Sequence, residues 1–191
     1  MNMTKFQYFL LSIFLGVTSL GQAETPDSFS HANEPTPEVT VRAVSEIVNA
    51  GDLKRDGLEA TFEFWIEAET DQVNLSCLVS DLNLKNDVHD SSGVQLDSSK
   101  GCRIEVIDGY SVAGKNWELV DFKNERHTID GSLNARKSDY VTFRTIDATN
   151  FRRNVYVTVS WLRSGESKPV GNYEGSVKLL AAAPDKIYPA K

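Results

Sequence analysis

A chain of 191 residues with 20 Lys+Arg against 27 Asp+Glu carries a formal net charge of −7. That length suits one packed domain, and the carboxylate excess repels a phosphate backbone, which excludes nucleic acid as a partner. Apolar residues at 40% and aromatics at 9% supply one core.

The first element is a leader. Lys5 precedes an apolar run from Phe6 to Leu20, which closes on Gly21-Gln22-Ala23. A positive start, a short apolar core and a small-x-small end predict a secretory signal peptide over 1–23, cleaved after Ala23. The run is too short for a transmembrane helix, which needs about 20 apolar residues. The longest later run, Val177 to Ala183, is interrupted by Lys178, so no membrane segment is expected after cleavage. Loss of Lys5 takes the net charge to about −8.

Residues 24–38 are polar, hold Pro26, Pro35 and Pro37, and show no apolar period, which predicts a flexible tail. From Val39 the pattern alternates. Val39, Val41 and Ala43 share one face with Thr40 and Arg42 between them, a strand. Val44, Ile47 and Val48 break the alternation, as a bulge or bend would, and Asn49 to Asp52 is a turn. Leu58 to Ala68 is the clearest strand. Phe62, Phe64, Ile66 and Ala68 face one way; Glu63, Trp65, Glu67 and Glu69 face the other. After a turn at Asp71-Gln72, Val73, Leu75, Cys77 and Val79 form a second inward row.

Leu82 to Gly101 is rich in Asp, Ser, Asn and Lys and reads as a long exposed loop with one short strand near Val94 to Leu96. Cys102, Ile104 and Val106 alternate again. Further strands are predicted at Trp117 to Phe122, near His127 to Leu133, at Tyr140 to Ile146, along Val155, Val157, Val159 and Trp161, and from Tyr173 to Ala181. Seven to nine strands and no sustained 3.6-residue period predict an all-β, immunoglobulin-like antiparallel sandwich over 39–184, with a short tail at 185–191.

Cys77 and Cys102 are the only cysteines. An even pair in an exported chain predicts a disulfide, and two inward cysteines on adjacent strands suit one. The loop it closes is about 25 residues, which in the chain-entropy picture stabilises by roughly 3 kcal/mol.

Catalytic chemistry finds no foothold. His31, His89 and His127 lack an orienting partner in sequence, and neither Gly-x-Ser-x-Gly nor His-Glu-x-x-His occurs. Asp81, Asp87, Asp90 and Asp97 fit the spacing of a calcium loop only loosely. The expectation is a protein that is not an enzyme, with no cofactor and no metal. Trp65, on the polar face of its strand, reads equally as a partner contact or as a ring tucked under a loop.

Two stretches carry a family likeness. One is Val39-Thr40-Val41-Arg42-Ala43-Val44, followed by Asp52-Leu53. The other is Pro169-Val170-Gly171-Asn172-Tyr173-Glu174-Gly175-Ser176-Val177-Lys178-Leu179. Together, over about 25 residues, they resemble subunits of chaperone–usher fimbriae, in particular the colonization-factor-antigen-I (alpha-fimbrial) type; spore-coat-U-like pilins have a similar closing strand. The resemblance implies a sandwich completed by donor-strand exchange. Val39, Val41 and Ala43 would then be the plugs that enter a neighbouring subunit, residues 24–38 the linker, and Gly171, Tyr173, Gly175, Val177 and Leu179 the closing strand. It also implies other pilus subunits, a periplasmic chaperone and an usher as partners, with a host or surface receptor in view, and passage through the periplasm to the cell surface. The chain departs from the family at Ser45-Glu46-Ile47, which lacks a proline, in its cysteine pair, and in its C-terminal tail; these fit a minor or atypical subunit. The other reading of Val39 to Val48 is the first strand of a self-complete sandwich, an exported immunoglobulin-like binding protein.

Overall fold

The structure, a computed structural model, describes residues 38–45, 48–51, 57–85, 93–129, 133–162 and 171–184. The predicted leader, residues 24–37 of the predicted tail and the C-terminal extension, together with His31 and His89, lie outside these residues.

Period-two patterning builds two antiparallel sheets, and no helix occurs among the described residues. The first runs β1 (Val39–Ala43), β2 (Leu58–Ala68), β12 (Phe151–Leu162), β6 (Cys102–Val106), β8 (Trp117–Val120), with β5 (Gln95–Leu96) extending β6's side of β12. In the second, β14 (Val177–Ala182) pairs with Asn74–Val79 of β3 (Gln72–Ser80). β3's other edge is shared end to end by β11 (Val141–Thr145) on Gln72–Leu75 and β10 (Leu133–Ser138) on Leu78–Ser80. Beyond them lie β7 (Gly109–Ser111) and β9 (Phe122–Ile129). A two-stranded patch joins β13 (Tyr173–Glu174) to β4 (Asn83–Leu84). The described residues form an all-β sandwich of antiparallel sheets, one of them curled.

The two sides of the sandwich differ. On one, β8 belongs to the first sheet and β9 to the second, with only Asp121 between them, so a single run of chain crosses from sheet to sheet and closes that side. On the other, each sheet ends in an edge strand, β1 and β14, which approach each other with Cα–Cα separations under 8 Å.

The inward rows meet as alternation requires. Phe62, Phe64, Ile66, Val73, Leu75 and Val79 are all essentially buried. Trp161 packs edge-to-face on Phe62, ring centroids 6.4 Å apart and planes at 81°. Its Nε1–H donates 2.9 Å to the carbonyl of Ser80, so one side chain of the first sheet is tied to the backbone of the second.

Several expectations need correcting. Cys77 lies on β3 and Cys102 on β6, so the cysteines face each other across the core from different sheets rather than along adjacent strands. The stretch from Leu82 to Gly101 is not simply an exposed loop. Leu82, Val94 and Leu96 are buried, and Leu82 exchanges two backbone hydrogen bonds with Val94; three apolar residues spaced across a polar stretch close the end of the core. Fourteen strands occur among the described residues, because two- and three-residue strands such as β4, β5 and β7 carry no alternation to read. The final strand is interrupted at Gly175 and Ser176, although Tyr173, Gly175, Val177 and Leu179 remain one buried row. Gly175 is closely packed there: a Cβ would sit 2.6 Å from Leu82 Cδ2, pushing that side chain aside, and 3.1 Å from the Asp81 carbonyl oxygen.

Candidate assembly edge

β1 sits at the rim of the first sheet and pairs with β2 in the register Val39↔Ala68, Val41↔Ile66, Ala43↔Phe64. The Val44 N–H donates 3.0 Å to the Glu63 carbonyl, which fixes the ladder parity. Thr40 and Arg42 then make the ladder bonds, while the backbone groups of Val39, Val41 and Ala43 point away from β2 toward the seam beside β14. Their side chains point inward and rest on the core without being sealed in: all three are half-buried, against full burial of Ile66 opposite. Outside the ladder, β1 gains a long ion pair, Arg42 to Glu67 at 3.9 Å, both exposed, which contributes little in solvent. Within the single chain, then, the predicted donor residues form the chain's own first strand.

The closing motif borders the same seam. Val177 pairs with Val79 and Leu179 with Cys77, so β14 anchors on the row of β3 that carries the cysteine. The Ser176 N–H donates 2.8 Å to Ser80 Oγ, and Ser80 Oγ donates 2.8 Å to the Asp81 carbonyl, which pins the break between β13 and β14. Gly171 lies beside Leu84 at the start of this segment.

Cys77 and Cys102 are fully buried, free, and 3.4 Å apart. The hydrogen bond with the neighbouring Cys102 thiol and then burial push the Cys77 thiol well above its usual range. The Cys77 N–H donates 2.9 Å to Ser138 Oγ. Burial of both and the raised Cys77 thiol set the pair apart from the exposed, low-pKa thiols of redox enzymes.

Trp65 is half-buried on the outer face of β2, and its Nε1–H donates 3.0 Å to Glu67 Oε1. Two aromatics that sequence reading missed share that face: Tyr156 on β12, whose hydroxyl bonds Glu63 Oε1 at 3.2 Å, and Trp117 on β8, with Arg103 and Lys115 each 4.9 Å from its ring centroid. Their relation to Trp65 depends on strand order, which alternation within a strand cannot reveal. Of the carboxylates weighed for calcium, Asp81 accepts the Leu96 N–H at 2.6 Å, and Asp97 accepts the Ser99 hydroxyl at 2.6 Å and pairs with Lys100 at 3.5 Å. Both brace the loop's own backbone; Asp87 and Asp90 lie outside the described residues. His127 is half-buried, 3.9 Å from Glu125.

No family model matches the chain, and no curated protein matches it.

Proposed function

We propose that the protein is an exported subunit that assembles by strand exchange, in the manner of chaperone–usher fimbriae, with β1 as the exchanged strand. The observation that carries this reading is the seam between β1 and β14: two edge strands of different sheets side by side, with β1 held through only five residues. A strand from a second copy that replaced β1 would regain the same ladder and the same three apolar contacts, so exchange is close to neutral in contacts and is decided by concentration and linkage. The leader at 1–23 supports export to the periplasm and then the cell surface, where other subunits, a chaperone and an usher are the expected partners. No catalytic role is proposed.

In an oxidising compartment Cys77 and Cys102 form a disulfide across the two sheets. Two thiols lose two protons and two electrons to a disulfide-bearing oxidant, itself reduced to two thiols. The bond would tie β3 to β6 and leave the seam as the place where the sandwich opens.

A second reading is an exported, self-complete immunoglobulin-like binding protein. It is favoured by the unbroken pairing of β1 with β2 inside the chain. Deleting residues 24–48 separates the two. If strand exchange operates, full-length protein forms salt-resistant oligomers, and the truncated chain is restored to a single folded species by a synthetic peptide spanning Glu38 to Val48. A stable full-length monomer, with a truncated chain that no added peptide rescues, would favour the self-complete module.

A further inference from the structure

The outer face of the first sheet brings together residues from four strands. Glu63 on β2, Tyr156 on β12, Glu105 on β6 and Trp117 on β8 stand in one register row. With strands about 4.8 Å apart, Tyr156 and Trp117 are about 10 Å from each other. Trp65 pairs with Asn154, one step along from that row and diagonal to Tyr156 at about 7–8 Å. Ile107 and Leu119, 39% and 60% exposed, extend the same face.

The polar groups between the rings are already oriented. Trp65 holds Glu67, Tyr156 holds Glu63, and Glu105 accepts from Arg103 at 2.8 Å and from Asn116 at 3.4 Å. Each carboxylate is pinned through one oxygen or shared with a neutral or cationic donor, so further acceptor capacity is presented at low entropic cost. The charges balance locally. Glu59, Glu63, Glu67 and Glu105 are set against Arg42, Arg103, Arg152 and Lys115, although the chain as a whole is acidic.

We propose that this face binds a neutral glycan. The C–H faces of sugar rings would rest on Trp65 and Tyr156, with Trp117 and its flanking cations at the far end, and vicinal hydroxyls would meet the fixed carboxylates and guanidinium groups. Local neutrality selects against a strongly basic or strongly acidic partner, and carboxylates between the rings select against an acidic sugar. The row crosses four strands, three strand spacings, so an oligosaccharide fits it better than a single sugar. β1 contributes only Arg42, so this site stands whether or not β1 is exchanged.

The test is nitrogen-15 NMR of the folded chain, titrated with neutral glucose, galactose and N-acetylglucosamine oligosaccharides and with a sialylated trisaccharide. The chain has three tryptophans, and the buried Trp161 indole is an internal control. The proposal expects the Trp65 and Trp117 indole signals to shift with at least one neutral oligosaccharide while Trp161 stays, and Tyr156→Ala to weaken that binding at least tenfold. An unmoved Trp161 signal shows that the variant folds; if it does not, Glu63→Gln is read instead, with the same expected direction. Shifts with no neutral oligosaccharide, or with the sialylated one alone, would overturn the proposal.

Discussion

Cys77 and Cys102 approach from facing sheets, buried and 3.4 Å apart. Their burial was legible, because each falls in an inward row; their placement across the core was not, because alternation says nothing of which sheet a strand joins. Protein recovered from an oxidising compartment is expected to show no free thiol under denaturant, and reduction is expected to lower its unfolding free energy by roughly 3 kcal/mol in urea titrations. Two reactive thiols before reduction would rule the bridge out. Trp161 is a second such residue. Trp161→Phe leaves the Ser80 carbonyl without its inter-sheet donor and opens space in the core, a loss of about 2–4 kcal/mol by the same titration. Asp147 shows the pH side. The Thr149 hydroxyl, at 2.8 Å, then the backbone N–H groups of Thr149 and Asp147, and last the Arg153 charge hold its carboxyl below the usual value. Its folded form therefore prefers the charged state. The stability it adds is present above the ordinary carboxylate pKa and is lost as pH falls through the lower folded value. Melting curves of wild type and Asp147→Asn are expected to differ at pH 7 and converge in strong acid.

At the scale of elements, long alternating strands were readable and short ones were not. β2 and the inward row of β12 could be drawn from Phe62, Phe64, Ile66 and from Val155, Val157, Val159, because eleven and twelve residues give several periods. β4 and β5 have two residues each, and Leu82, Val94 and Leu96 are recognised as core only once the strands beneath them are placed. β1 is the element on which function turns. Val39, Val41 and Ala43 look the same in sequence whether they complete their own sheet or another copy's, since both demand the same period. Val41→Asp places a charge against Ile66 in either case, and is expected to lower stability by about 2–3 kcal/mol if β1 is part of the folded unit. A much smaller loss, seen as an unchanged melting midpoint, would mean that the sandwich stands without β1.

For the whole molecule, composition and patterning sufficed for an all-β sandwich, while the asymmetry of its sides emerged only from topology. The β8–β9 crossing at Asp121 seals one side, and the β1–β14 seam leaves the sheets joined on the other by packing. The outer-face aromatics were likewise hidden, because Trp65, Tyr156 and Trp117 come from three separate strands. Strand exchange is tested most directly by a disulfide at the β1–β2 ladder. Val39 and Ala68 are directly opposed in a pair whose Cα atoms lie about 4.5 Å apart. The Val39→Cys, Ala68→Cys chain, oxidised after assembly and run on a denaturing, non-reducing gel, is expected to give a ladder of covalently linked subunits. Bridged monomers alone, from the same assembled material, would show that β1 completes its own sheet and contradict the account.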